Sequence, residues 1–213
     1  MPKSRRKISA VEKEFSSELL KLVKIDADIQ SRYSSNPNNF SKHQIFLVTE
    51  AIFFRAYRTF EGFIRDIFIL YCQEKPTSSE KKVTSYVKPK SFKHAEILIQ
   101  SSLSYLDWSN PDIMITRAET YLKDGFPIRT PFTVHKEKLL DYRRIRNRIA
   151  HDSKEAESTY EIVLRKHFGT VPIKIPPPGE FLLLVNQTSS SSKYYLLEYF
   201  DLLIRMSKEL TFQ

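Results

Sequence analysis

The segment from residue 41 to about residue 73 constrains the rest of the chain. Phe46, Phe53, Ala56, Phe60, Phe63, Ile64, Ile67, Phe68 and Tyr71 recur at helical spacing. They cover more than half the circumference of the helix they predict, leaving Glu50, Arg58, Glu61 and Arg65 close to one stripe. A helix apolar on so many sides cannot lie on a surface, so other elements must pack around it. Ser41, with Gln44 three residues on, forms a capping box that opens this helix. Glu61 and Arg65 stand four apart, in the favourable order for an ion pair. Aromatic residues at this spacing read as core, not as a base-stacking platform.

Other helices are legible on either side. Residues 1–8, with Lys3, Arg5, Arg6 and Lys7, read as a flexible basic arm, and residues 9–213 as a single helical domain. Val11, Phe15, Leu19, Leu22, Val23 and Ile29 predict a first helix over 10–32, ending before Asn36-Pro37-Asn38-Asn39. Residues 74–91 contain five lysines and read as a loop too polar to pack. A third helix is expected over 92–107, and a fourth from Asn110-Pro111 to a stop at Gly125. The proline-containing stretch 126–133 precedes a fifth helix over 135–151. Asp152 with Glu155 resembles a capping box for a sixth, which Gly169 closes. Prolines 172, 176, 177 and 178 force an extended segment in which Phe181 to Val185 forms a short strand or buried strip. After a Ser-rich spacer over 188–192, a seventh helix spans 193–210. The expected class is all-α, a bundle of about seven helices around the central apolar one, with at most one short strand.

Composition removes several functions. Four glycines argue against a glycine-rich phosphate loop, and Gly-x-Ser-x-Gly is absent. Cys72, the one cysteine, cannot form an internal disulfide. The five histidines are scattered without metal-ligand spacing. No cofactor and no metal are expected. No apolar run approaches the ~18 residues of a bilayer span and no leader-like segment follows Met1, so a soluble, cytoplasmic protein without a membrane partner is expected. The formal charge of +9 favours a polyanionic partner.

The chemistry concentrates in the fifth helix and its end, Asp141-Tyr142-Arg143-Arg144-Ile145-Arg146-Asn147-Arg148-Ile149-Ala150-His151-Asp152-Ser153. Arg143, Asn147 and His151 share a face at four-residue steps. Arg146 lies five before His151, roughly 140° away around an ideal helix. Frayed geometry at the helix end, or a second subunit, must bring Arg146 and His151 to one substrate. With five histidines, an Arg followed five positions later by His arises by chance in about one such chain in three, and requiring Asn after the Arg lowers this to about one in a hundred. Arg144 to His151 and Arg129 to His135 fit a looser spacing, the second across Pro131 and outside any expected helix.

Arg146-Asn147-Arg148-Ile149-Ala150-His151 resembles the Arg, polar residue, three variable residues, His signature of the HEPN superfamily. The long apolar helix with Phe-x-x-Phe-type spacing and Glu61, followed by a basic helix ending in the motif, is similar to the stand-alone RiboL-PSP-HEPN and abortive-infection members. The resemblance implies a metal-independent endoribonuclease that works as a homodimer on RNA such as tRNA or mRNA. It also implies a toxin or anti-phage effector with an antitoxin or defence-system partner. It assigns catalysis to Arg146, Asn147 and His151, with Arg143, Arg144 and Arg148 on flanking phosphates. A different class stays open: a non-catalytic helical module using the same basic helix to hold RNA or an acidic partner. A DNA-binding helix-turn-helix is disfavoured, because Glu155, Glu157 and Glu161 make the helix after the turn too acidic for a groove.

Overall fold

The computed structural model describes residues 6–35, 41–100, 106–186 and 192–213. The protein is all-α. Among the described residues there are nine α-helices and no sheet, the β content being two isolated bridges, Ser85 with Leu122 and Val185 with Tyr194. The helices are α1 Ile8–Ser35, α2 Lys42–Cys72, α3 Phe92–Gln100, α4 Pro111–Tyr121, α5 Arg129–Val134, α6 Lys136–Ala150, α7 Lys154–Phe168, α8 Pro178–Leu182 and α9 Tyr195–Thr211. Most of the expected basic arm, the Asn/Pro stop of the first helix, the end of the third helix and most of the Ser-rich spacer lie outside the described residues.

The chain divides into two compact units. Unit 1 comprises Met1–Ser17, Thr59–Leu139 and Ile204–Gln213; unit 2 comprises Glu18–Arg58 and Leu140–Leu203. The helix α2 contributes to both. Every residue from Ile67 to Cys72, the stretch of α2 that is apolar on all sides, is buried.

In unit 1, Phe15 stacks on Phe63 at 4.5 Å between ring centroids. The Tyr71 hydroxyl donates to the Leu210 carbonyl at 2.7 Å. Arg65 bonds the adjacent Asp66 at 3.0 Å instead of Glu61. Glu61 is buried and accepts from Ser109 Oγ at 3.3 Å. The expected pairing four residues apart is overridden by tertiary surroundings that draw the carboxylate inward.

In unit 2, Phe53 and Tyr57 of α2, Tyr142 of α6 and Tyr199 of α9 form one ring cluster, with Tyr142 and Tyr199 only 4.4 Å apart. A second cluster joins α7, α8 and α9: Tyr160 meets Phe181 edge-on, and Phe181 stacks on Tyr195 at 4.5 Å.

Local chemistry explains the best-marked boundaries. The Ser41 N–H donates to Gln44 Oε1 at 2.7 Å and the Gln44 N–H to Ser41 Oγ at 3.2 Å, a reciprocal capping box. Asn110 Oδ1 accepts from the Asp112 and Ile113 N–H groups ahead of Pro111. Gly169 ends α7 at φ 77°, its N–H bonded to the Arg165 carbonyl.

Five expectations are corrected. The segment from Phe181 is no strand: Phe181 and Leu182 end α8, which Pro178 starts at its first position, where a missing N–H costs nothing. Residues 129–134 are helical despite Pro131, because proline is tolerated in a first turn. His135 caps that helix, so the expected fifth helix is α6. The helix α4 stops at Tyr121, where Leu122 turns extended to bridge Ser85, and Gly125 ends the following 3-10 turn at φ 69°. Ser153 caps α7, accepting from the Ala156 N–H at 3.1 Å, instead of Asp152. The lysine-rich loop packs after all, with Thr77, Val83 and Ser85 buried.

Candidate functional site

The motif residues belong to unit 2, at the C-terminal end of α6. Tyr142 and Ile145 face inward and are buried, and this fixes which face the arginines can take. The helical pattern ends with the His151 N–H bonded to the Asn147 carbonyl at 2.9 Å. The chain then turns through Asp152 into the Ser153 cap. His151 is therefore the first residue past the helix, and it is exposed.

Arg146 is half-buried. Its Cζ lies 5.8 Å from the Phe54 ring centre and 5.6 Å from that of Tyr57, within cation–π range. Arg146 Nη1 donates to Asn147 Oδ1 at 3.1 Å. Its Nε–H is buried with no hydrogen-bond acceptor, an omission that costs roughly 1–3 kcal/mol in an ordinary protein interior. Through the Nη1 bond Asn147 steadies Arg146.

Two clefts adjoin the motif. One, of about 570 Å³, is lined by Glu50, Arg148, Ile149, Ala150, His151, Asp152, Glu157 and the strip Ile175 to Pro178. The other, of about 530 Å³, is lined by Leu47, Glu50, Ala51, Phe54, Arg55, Arg58, Ile149 and Ala150. Glu50, Ile149 and Ala150 are common to both. The proline wall of the first is built by tertiary contacts. The Tyr160 hydroxyl donates to the Pro176 carbonyl at 3.2 Å, and Glu50 Oε1 accepts the Gly179 N–H at 2.8 Å. Gly179 lies so close to α2 that a Cβ there would meet the Phe46 carbonyl oxygen at 2.2 Å.

The structure brings His151 and Arg148 to one cleft, and it sets Arg146 against the aromatic rings behind the other. Within one chain, Arg146 does not line the His151 cleft. Arg148 Nη1 bonds Asp152 Oδ1 at 2.6 Å, and Arg144 Nη1 bonds Asp141 Oδ1 at 2.6 Å, with Lys166 sharing that carboxylate. Arg143 is half-buried. The basic character of α6 is thus partly neutralised by its own neighbours. In the His151 cleft three carboxylates stand against one arginine. Two of the three are already engaged, Glu50 by Gly179 and Asp152 by Arg148. Exposed pairs such as Arg148 with Asp152 are worth only about 0–1 kcal/mol, so a phosphate can compete for the guanidinium.

The looser pairing of Arg129 with His135 is occupied elsewhere. Arg129 Nε lies 2.8 Å from Glu119, and His135 Nε2 lies 2.8 Å from Glu209. The site residues that sequence reasoning missed are Glu50, Phe54, Tyr57 and Gly179. Only Glu50 carried a signal, as a carboxylate on the polar stripe of an otherwise apolar helix.

Among the described residues, no three His, Cys, Asp or Glu side chains stand close enough to hold a metal ion, and no helix is long and apolar enough to cross a membrane. No protein-family model, no curated protein and no solved structure matches this chain.

Proposed function

We propose that this protein is a metal-independent endoribonuclease of the HEPN type that acts as a homodimer. The observation that carries the reading is the setting of Arg146. Its guanidinium is held in one orientation by two aromatic rings and Asn147, five residues before an exposed histidine at a helix end.

In the reaction, the RNA 2′-hydroxyl loses its proton to a base and attacks the adjacent phosphorus. The P–O5′ bond breaks as an acid gives its proton to O5′, leaving a 2′,3′-cyclic phosphate and a 5′-hydroxyl. A histidine, with a reference pKa of ~6.5, can serve as either group. One chain offers one such histidine, so His151 from each of two copies would fill the two roles. Arg146 would hold the non-bridging oxygens through paired N–H donors, a geometry suited to guanidinium. Asn147 keeps that fork aimed. Arg143, Arg144 and Arg148 would bind flanking phosphates by exchanging their internal partners for the backbone, a salt-sensitive contribution.

The three carboxylates of the His151 cleft make it a poor seat for a scissile phosphate in a single chain, and this favours one other reading, a non-catalytic module that holds RNA or an acidic partner through α6. A single assay separates the two. Purified wild type, Arg146→Ala, Asn147→Ala and His151→Ala are incubated with total RNA and with tRNA in EDTA, and new ends are mapped. The ribonuclease reading expects cleavage by wild type to cyclic phosphate ends, none by the Arg146 and His151 variants, and a loss of at least tenfold for Asn147→Ala. Intact RNA in every lane with a salt-dependent gel shift would replace it by the binding module. Inhibition by EDTA that added metal reverses would refute the mechanism.

A further inference from the structure

From Lys81 to Lys93 the chain carries five lysines and no Asp or Glu. A connection of this composition is ordinarily a solvated tether whose charges hold no fixed arrangement. Here the backbone beneath the lysines is anchored within unit 1. Val83 and Ser85 are buried. The Thr77 N–H donates to the Lys81 carbonyl at 3.0 Å, the Lys123 N–H to Thr84 at 2.9 Å and the Tyr86 N–H to Tyr121 at 2.9 Å. The Lys90 N–H reaches His94 Nδ1 at 3.0 Å, tying the far end to α3. Glu74 is turned onto the backbone, accepting the Ser85 N–H at 3.1 Å.

Along this strip the buried Val83 and Ser85 alternate with Lys82 and Tyr86 on the solvent side, and Tyr86 is 62% exposed. Lys81, Lys88 and Lys90 are exposed as well. Among the described residues no carboxylate pairs with Lys81, Lys82, Lys88 or Lys90. A large aromatic ring left in water beside unpaired cations, on a backbone that cannot drift, combines the two contacts by which single strands are held. Ammonium groups attract phosphates of any sequence, and a ring stacks on an unpaired base. A duplex offers the phosphates but keeps its bases stacked on one another.

We propose that the strip from Lys81 to Lys90 is a docking surface for single-stranded RNA, with lysines on the phosphates and Tyr86 stacked on a base. As the surface that holds a substrate strand, it rests on the ribonuclease reading; as a binding surface, it rests on the loop alone.

The test uses the full chain carrying His151→Ala, so that binding is read without cutting. A fluorescent, unstructured RNA of about 12 nucleotides is titrated by anisotropy between about 50 and 200 mM salt. Replacing Lys81, Lys82, Lys88 and Lys90 together by Ala should weaken binding at least tenfold. It should also flatten the slope of log affinity against log salt by about 0.7 for each phosphate no longer neutralised. Tyr86→Ala should weaken binding about tenfold with the slope unchanged, whereas Tyr86→Phe, which keeps the ring, should bind as the parent does. Parent-like binding by both the lysine and the Tyr86→Ala variants would overturn the proposal. So would equal affinity for duplex with no effect of Tyr86→Ala, which marks a general polyanion surface. Binding to phosphatidylserine vesicles but not to RNA would overturn it in favour of a membrane. If wild type cuts no RNA yet both variants bind weakly, the ribonuclease reading fails and the docking surface stands. If wild type cuts and both variants bind normally, the docking surface alone fails.

Discussion

Gly179→Ala is the sharpest structural test of how the cleft beside His151 is built. The added methyl would sit 2.2 Å from the Phe46 carbonyl oxygen, 2.6 Å from its carbon and 2.7 Å from the Phe46 Cα. These are backbone atoms in the first turns of α2, so no side chain can swing aside. The short helix α8 must move away, and the 2.8 Å bond from the Gly179 N–H to Glu50 lengthens with it. Overpacking of this kind costs about 1–3 kcal/mol, and a hydrogen bond to a charged group contributes about 1.5–3 kcal/mol. Alanine returns up to about 1 kcal/mol through its better helix propensity. The net expectation is a loss of about 2–4 kcal/mol. At about 2–4 °C per kcal/mol for a chain of this size, Tm falls by roughly 5–15 °C. Gly62→Ala is the internal control. It lies within α2, and a methyl added there would meet nothing within 4 Å, so the same exchange should raise stability by about 0.5–1 kcal/mol. Thermal and urea melts of the two variants beside wild type give both numbers. A Tm for Gly179→Ala within about 2 °C of wild type would refute the close approach of α8 to α2.

Two further outcomes follow from buried groups. Burial holds the His167 imidazole below its usual range, with Nδ1 2.7 Å from the Tyr195 hydroxyl. Burial, with Glu198 nearby, pushes that phenol up to about 12, so it stays a donor. The unfolded chain protonates this histidine near pH ~6.5 while the folded one resists. Acidification below that value therefore favours unfolding, until the pH drops below the folded pKa. Urea stability should fall between pH 7.5 and 5 more steeply in wild type than in His167→Gln, and parallel curves would remove His167 from the cause. Burial likewise pushes the Cys72 thiol up to about 12. A disulfide reagent at pH 8 should leave native protein unlabelled and titrate one thiol in guanidinium, and native labelling at the rate of free cysteine would contradict the packing of α2.

Local chemistry and helical period control the features that are legible along the chain. The apolar circumference of α2, the Ser41–Gln44 box, the Asn110-Pro111 start and the Gly169 stop each depend on residues within a turn of one another, and each stands where its local pattern puts it. The all-α class follows from the same periodicity. Features whose partners lie far along the chain depend on packing instead. The strip from Pro178 to Leu182 is a short helix whose first turn meets α2, where Glu50 accepts the Gly179 N–H. Glu61 is drawn inward towards Ser109, leaving Arg65 to Asp66. The lysine-rich loop is held by the backbone of the segment after α4, so its charges stand on a fixed base. Arg146 is aimed by Phe54 and Tyr57, about ninety residues earlier in the chain, and a spacing rule that counts from arginine to histidine contains no information about those rings.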